Sequence, residues 1–189
     1  MSTLDLFRLP KTITVGDVKY TLRTDFEAVR DVLIACNDPD LDDEAKSIVM
    51  LEILLPEWTN IPPEHLQDAL QKLVDFIDCG QKDDGKPHPR VIDWEQDAGI
   101  IISAVNNVAH VDIRTLPQVH WWTFMSYFME IRESLFSNVL SVRQKKAKGK
   151  KLEKWEQEFY NENRAIIDLK EKETEEIRAE KENILKYLT

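Results

Sequence analysis

Residues 12–36, TITVGDVKYTLRTDFEAVRDVLIAC, change from strand to helix patterning within one short stretch. The first half alternates polar and apolar residues around Gly16 and Asp17, a pair typical of a two-residue hairpin turn with positive φ at the glycine. The resulting register sets Val15 opposite Val18 and places the apolar residues on one face. Because a lone hairpin is marginally stable in water, we expect that face to pack on the helices that follow.

The second half of this stretch has helical spacing. Thr24 is the expected N-cap of a first helix, and Glu27 three residues later completes a capping box. The apolar residues recur three and four positions apart, which predicts one buried stripe. The tripeptide Asn-Asp-Pro at 37–39 ends the helix.

Two more amphipathic helices are predicted before residue 81. The second helix begins near Asp42 or Asp43 and ends before Pro56. The third begins at the Pro-Pro pair 62–63, which suits a first turn whose N–H groups lack helical partners, and Gly80 closes it.

Residues 81–90, QKDDGKPHPR, form the clearest predicted loop, since they contain no apolar residue, two prolines and one glycine. A fourth helix follows, with Asp93 as its N-cap and Gln96 at the capping-box position. Glu95 and Asp97 then lie in the first turn, where carboxylates suit the positive end of the helix dipole.

A fifth helix, predicted over about 117–136, is the most hydrophobic segment of the chain. Trp121 and Phe128 belong to one seam at helical spacing, and Trp122 and Met129 fall on a second face. A helix that is apolar on two sides is either buried by two neighbours or exposes a contact surface.

From Lys150 to Leu188 a long, charge-rich helix without a breaker is predicted, about 55–60 Å long if continuous. The expected fold is therefore mainly α: a multi-helix domain with a small N-terminal β-hairpin and a long charged C-terminal helix. The expected division is a helical domain over 1–142 and a basic linker with the long helix over 143–189.

The formal charge of −10 argues against nonspecific nucleic-acid binding by the whole molecule. The charge is uneven, because residues 143–154 carry seven Lys or Arg and one Glu, a net +6. This run is either a phosphate-binding patch, a solvated linker or an electrostatic contact for an acidic surface.

Cysteine usage and the N-terminus indicate a cytoplasmic protein. Cys36 and Cys79 are the two cysteines and both lie in predicted amphipathic helices, where a free cysteine behaves as a small apolar residue. The first residues lack the basic start and apolar stretch of a signal peptide. No segment approaches 18 uncharged apolar residues, so we expect no membrane span.

Motifs for catalysis or cofactor binding are missing from the sequence, including phosphate-binding glycine loops, zinc signatures and nucleophile elbows. Asp38, Asp40 and Asp42 have the spacing of the first calcium-loop ligands, but the sixth and twelfth positions hold Asp43 and Val49. The four histidines are dispersed. We therefore expect a non-enzyme with no catalytic residues, cofactor or metal.

The order of several motifs resembles the bacteriophage gene-product-fifteen family. These motifs are the hairpin followed by T-D-F-E, the segment D-W-E-Q-D-A from Asp93 to Ala98, H-W-W-x-F from His120 to Phe124, the basic stretch leading into K-W-E-x-E-F-Y-x-E-N from Lys154 to Asn163, and I-D-L over 167–169. The resemblance spans nearly the whole chain.

The resemblance implies a tail assembly chaperone that acts by contact, binds the tape-measure protein and tail-tube subunits in the host cytoplasm, and is absent from the finished particle. The alternatives are a structural tail or connector component retained in the virion, and a nucleic-acid-binding regulator that uses residues 143–154. Homo-oligomers through the C-terminal helix are a further expectation. The residues predicted to contact the partner are Trp94, Trp121, Trp122, Phe128 and Met129.

Overall fold

A computed structural model describes residues 7–81, 85, 89–170 and 174. It begins with a hairpin of β1 (Thr12–Val15) and β2 (Val18–Thr21), joined antiparallel in the predicted register. Gly16 has the expected positive φ, +58°. The apolar face is confirmed except at Val18, which lies beside the turn and is 53% exposed.

Eight α-helices follow in the described part of the chain. They are α1 (Phe26–Cys36), α2 (Asp43–Leu54), α3 (Leu66–Ile77), α4 (Ala98–Ala109), α5 (Trp121–Met129), α6 (Leu135–Ala147), α7 (Lys154–Glu162) and α8 (Arg164–Ile167). Short 3₁₀ turns precede α3 and α5. The mainly α architecture with one small hairpin is confirmed.

Asp25, rather than the predicted Thr24, is the N-cap of α1, and its carboxylate accepts a hydrogen bond of 2.9 Å from the Ala28 N–H. Thr24 is occupied elsewhere, because its carbonyl accepts from the Trp121 N–H at 2.7 Å. Because the Thr24 carbonyl is used in this contact, the helix begins one residue later than predicted. The capping box with Glu27 is therefore wrong, although the end of α1 at Cys36 is confirmed.

The second and third helices match the predicted segments with small differences. Asp42 caps α2 through the Ala45 N–H at 2.8 Å. The Pro62-Pro63 start gives a 3₁₀ turn over Pro63–His65 before α3 becomes regular. At the other end Gly80 has a φ of +72°, and its N–H donates to the Asp75 carbonyl at 2.8 Å, as the predicted closure requires.

Asp93 caps the turn over 94–97 rather than α4 itself, which begins at Ala98. Its carboxylate accepts from the N–H groups of Glu95 and Gln96 at 2.9 and 2.8 Å. The Asp93 N–H in turn donates to the Asp97 carboxylate at 2.9 Å. The capping-box role predicted for Gln96 is wrong, because the Gln96 side chain reaches the C-terminal segment.

The helix predicted over 117–136 is in fact two helices. Helix α5 ends at Met129, and α6 begins at Leu135 behind Ser134. Ser134 and Ser137 form a reciprocal cap, with each side chain accepting from the other's backbone N–H at 3.0 and 2.9 Å. This cap starts a new helix at a place where the apolar spacing alone predicts one continuous helix. Helix α6 then runs through the predicted division between residues 142 and 143.

The long C-terminal helix is not found in the described residues. Gly149, with a φ of +63°, lies just beyond the end of α6. Helix α7 starts anew behind Glu153, breaks at Asn163, and α8 stops at Ile167. The predicted continuation over 171–173 and 175–188 lies outside the described residues.

Two apolar clusters stabilise the molecule. The main core joins the inner face of the hairpin to α1–α5 and the start of α6. A smaller cluster contains the buried residues Val139, Val142 and Ile167 and lies between α6 and α8. In the described ranges, no helix is long and apolar enough to cross a membrane.

Candidate functional site

A continuous set of aromatic rings lines the inner side of α5. Phe124 stacks on Phe26 with ring centroids 4.8 Å apart, and Trp121 stacks on Phe124 at 5.5 Å. Phe128 extends the set, with its centroid 5.7 Å from Trp94 and 5.4 Å from Phe136. Aromatic contacts of this kind stabilise beyond the area they bury, so they fix α5 against α1 and α6.

The two adjacent tryptophans of α5 are anchored to the end of α3. The indole N–H of Trp121 donates to the Ile77 carbonyl at 2.8 Å, and that of Trp122 donates to the Phe76 carbonyl at 2.9 Å. Both rings are buried. The sequence left open whether a helix apolar on two sides is buried or exposes a contact surface. At Trp121 and Trp122 the helix is buried by its neighbours.

His120 connects the start of α5 to the segment that precedes β1. Its Nδ1 accepts from the Trp122 N–H at 3.1 Å, so its Nε2 carries the proton and donates to the Pro10 carbonyl at 2.8 Å. Asp25 and His120 also form an isolated antiparallel bridge. These bonds hold the start of α5 against the hairpin side of the molecule.

An open groove lies between α4 and the segment where α5 gives way to α6. Its volume is about 850 Å³. Val111 and Leu135 bring apolar side chains to it and are 39% and 44% exposed. Asn106 and Asn107 add amide groups from α4, and Glu133 adds a carboxylate from the opposite wall. We call this the α4–α6 groove.

The floor of the α4–α6 groove is fixed by local hydrogen bonds. The Asn106 side-chain oxygen accepts from the Ile113 N–H at 3.0 Å. Asp112 accepts from the Arg114 guanidinium at 2.6 Å, and hydrogen bonding by Arg114 holds the pKa of Asp112 well below its usual range. The groove therefore presents a fixed surface of small, amide and apolar groups with an acidic edge.

The first basic residues of the predicted basic run, 143–154, contact groups of the same chain. Arg143 is buried, and its guanidinium forms a two-bonded ion pair with the buried carboxylate of Asp97 at 2.6 and 2.8 Å. Its other N–H groups donate to three carbonyls, those of Val91, Ile166 and Ile167. All five donors of this guanidinium are thus satisfied.

The next two lysines of the run contact carboxylates of the C-terminal segment. Lys145 lies 2.7 Å from Glu156, and this hydrogen bond lowers the pKa of the Glu156 carboxyl and raises that of the Lys145 amine. Lys146 lies 2.6 Å from Asp168, and the pKa of the Asp168 carboxyl is lowered chiefly by that bond. Four further lysines are exposed: Lys148, Lys150, Lys151 and Lys154.

The family model described as Bacteriophage Gp15 protein matches residues 7–169, which is most of the chain. The chain belongs to this phage protein family. No curated protein and no solved structure gives a significant match. The matched residues include the hairpin, the aromatic set, the α4–α6 groove and the Arg143 ion pair.

The five contact residues predicted for this phage Gp15 family member lie in different environments. Trp121 and Trp122 belong to the core, and Trp94 and Phe128 are half-buried against it. Met129 is 56% exposed at the end of α5, where the Gln81 amide lies 3.8 Å from its sulfur. Of the five, only Met129 offers most of its side chain to a partner.

The α4–α6 groove was missed by the sequence reasoning because it depends on the break between α5 and α6. The sequence did contain a signal for that break. Ser134 precedes the apolar pair at 135–136, and a serine before an apolar stretch is a common helix start. With Ser134 as the N-cap, Leu135 is the first residue of α6, and it is 44% exposed.

Two further kinds of group could carry chemistry, the thiols of Cys36 and Cys79 and side chains able to bind a metal ion. Burial raises the pKa of the Cys79 thiol to about 11, with a further contribution from Asp78, and burial raises that of Cys36. Both thiols are therefore protonated and poorly nucleophilic at neutral pH. Among residues 7–81, 85, 89–170 and 174, no three His, Cys, Asp or Glu side chains are grouped to hold a metal ion.

Proposed function

We propose that this member of the phage Gp15 family is a non-catalytic tail assembly chaperone that binds an apolar helical partner in the α4–α6 groove. The partner named by the family resemblance is the tape-measure protein, with tail-tube subunits as the second ligand. The observation that carries the proposal is the pair of exposed apolar side chains, Val111 and Leu135, in one groove of a phage protein.

The size and lining of the groove suit a helix. The groove is open to solvent, and its volume of about 850 Å³ leaves room for side chains from one face of a helix. Helix-in-groove recognition uses apolar anchors from one helix face, and Val111 and Leu135 supply matching apolar contacts. The amide of Asn107 is available for polar groups beside those anchors.

Charge favours a partner whose apolar stripe is flanked by basic residues. Glu133 lies at the groove and the whole chain carries −10. Complementary charge increases association rates and suppresses wrong partners. The same negative charge keeps a chaperone with exposed apolar groups in solution. Met129 is a second apolar contact at the end of α5.

We place this activity in the cytoplasm of the bacterial host and expect the protein to be absent from the mature virion. The alternative role, a structural tail or connector component, predicts a stoichiometric amount of the protein in purified particles. Mass spectrometry of particles separates the two roles. The nucleic-acid alternative is less favoured, because Arg143, Lys145 and Lys146 already contact carboxylates of the same chain.

The test is co-expression with the tape-measure protein from the same gene cluster, followed by co-purification. Wild-type protein is expected to keep the tape-measure protein soluble and to elute with it. Leu135→Asp is expected to abolish that complex while leaving the fold intact, since aspartate is favourable in the first turn of a helix.

The matched control is Ile48→Asp, which changes an exposed apolar residue of α2 that does not line the groove. This variant should bind like the wild type. Equal co-purification by Leu135→Asp and wild type would remove the groove from the proposal. An insoluble tape-measure protein that binds neither would end the chaperone assignment.

A further inference from the structure

The segment from Lys154 to Lys170, here called the C-terminal arm, packs as a unit apart from the main core. It contains α7, α8 and the three residues after them. Its buried anchor is Ile167, which meets Val139 and Val142 of α6 in the smaller apolar cluster. The arm therefore contributes no buried residue to the main cluster that joins the hairpin and α1–α5.

The arm is held on the rest of the protein mainly through its backbone carbonyls and carboxylates. Arg143 donates to the carbonyls of Ile166 and Ile167, both at 2.7 Å. The Gln96 amide donates to the Asp168 carbonyl at 2.9 Å, and its oxygen accepts from the Lys170 N–H at 3.0 Å. We call the surface formed by Gln96, α6 and these donors the arm site.

The arm site has its own internal support. The ion pair with Asp97 and the bond to the Val91 carbonyl account for three of the five Arg143 hydrogen bonds, and neither partner belongs to the arm. Of the five Arg143 hydrogen bonds, two are made to the carbonyls of α8, and these two are lost when the arm leaves. The guanidinium thus stays oriented toward a helix C-terminus whether or not the arm is in place.

The connection between α6 and the arm is short, exposed and strongly basic. Gly149 has a φ of +63°, and the Lys150 N–H donates to the Lys145 carbonyl at 2.8 Å, which folds the chain back. Exposed lysines at 148, 150, 151 and 154 gather around this turn. Their mutual repulsion opposes the folded-back turn and favours a more extended connection.

We propose that the arm site also accepts the arm of a second copy of this chain, so that two copies exchange C-terminal arms in a symmetric dimer. Every contact between the arm and the arm site is preserved when the arm comes from another copy. Among the described residues, the turn around Gly149 is what differs between the two forms, and this is the condition for domain swapping. A second copy supplies the isoleucine, the flanking carboxylates and the helix end that the site contacts.

Zero-length crosslinking of isotopically mixed chains tests this proposal. Full-length ¹⁴N and ¹⁵N chains are unfolded together and refolded at about 1 mM, the scale of the effective concentration that a short tether provides. A carbodiimide then joins amines to carboxylates that already touch. Lys145 to Glu156 and Lys146 to Asp168 report on the arm, at 2.7 and 2.6 Å.

Mixed-isotope crosslinks at those two positions are the expected result. The internal control is Lys72 to Asp68, 2.6 Å apart on one helix, which must stay within a single isotope. If both arm crosslinks also stay within a single isotope, the exchange is overturned.

A turn variant shows whether the connection governs exchange. Gly149→Pro removes the N–H that bonds to the Lys146 carbonyl and disfavours the backbone of the folded-back turn, so the mixed-isotope fraction should rise severalfold. Gly85→Pro is the matched control, because Gly85 also has positive φ and open space where a Cβ would lie. An equal effect of the two substitutions would contradict the role of the turn.

Discussion

The Arg143 guanidinium and the Asp97 carboxylate form a buried two-bonded ion pair that joins α6 to the turn before α4. Both side chains are almost fully enclosed, and the two N–O distances are 2.6 and 2.8 Å. Burying two charges is favourable only when their remaining hydrogen-bonding groups are satisfied. The carbonyls of Val91, Ile166 and Ile167 meet that condition for Arg143.

Removing one partner of this pair should strongly destabilise the protein. Asp97→Ala leaves a buried guanidinium uncompensated and is expected to lower the free energy of unfolding by about 3–5 kcal/mol. Arg143→Lys should also lose stability, because an ammonium cannot reproduce five donors in one plane. Urea unfolding measures both changes.

The control for the ion pair is Asp31→Ala, which removes a 2.6 Å contact with Arg30 on the exposed side of α1. Exposed pairs contribute about 0–1 kcal/mol, so this change should be small. Equal losses in Asp97→Ala and Asp31→Ala would show that the Arg143 pair carries no special weight.

The position of Arg143 shows how far local patterns extend. Its charge places it in the basic run, yet Phe136 and Val139 precede it at helical spacing and put it on the buried face of α6. Its partner Asp97 lies 46 positions away. Spacing reveals that a position faces inward, but no local pattern identifies a charge partner so distant in the sequence.

The same distinction explains which parts of the fold were predicted. The hairpin register and the ends of α1 and α2 depend on neighbouring residues, and they match the prediction closely. The Thr24 cap was wrong because α5 takes the Thr24 carbonyl, and the single helix over 117–136 was wrong because Ser134 starts a new one. The α4–α6 groove follows from that break, so it could be predicted only by giving the Ser134 cap more weight than the continuous apolar spacing.

Ser134→Ala is expected to cost about 1 kcal/mol of stability, because it removes the N-cap of α6. The loss should also loosen the lining of the α4–α6 groove at Leu135. Thermal or urea unfolding gives the first effect, and hydrogen exchange of the first turn of α6 gives the second.

Ser47→Ala is the control for the cap. The Ser47 hydroxyl donates to the Asp43 carbonyl within α2, and alanine is a better helix former at an internal position. No loss is expected there. A Ser134→Ala protein as stable as Ser47→Ala would mean that α6 needs no cap.

The two tryptophans of α5 are buried, so we expect their substitution to lower the free energy of unfolding. Trp122→Phe removes the indole donor to the Phe76 carbonyl and part of a buried ring, at a cost of about 1–3 kcal/mol. Trp155→Phe is the control, since Trp155 is 49% exposed and its N–H contacts Glu153 at the surface. If Trp122→Phe left the unfolding free energy unchanged, the ring would not be part of the core.

Arm attachment should weaken in acid because the carboxyl pKa of Glu156 is lowered by Lys145 and by the Glu153 N–H. A carboxyl whose pKa is lower folded than unfolded stabilises the folded state above its unfolded pKa, roughly 4.3. That stabilisation disappears as the pH falls through the lower folded value. The Lys145 pKa is raised, so its contribution is lost only as the pH rises beyond roughly 10.4.

Glu156→Gln tests this dependence when its unfolding free energy is compared with the wild type between pH 3 and 7. The difference should be largest near neutrality and should shrink below the unfolded carboxyl pKa, because the unfolded wild-type carboxyl then takes up a proton while the folded one keeps its charge down to its lower pKa. Glu158→Gln, an exposed change on the same helix, should give a small and flat difference. A Glu156→Gln difference that stays constant down to pH 3 would show that the Lys145 contact contributes nothing as a charge pair.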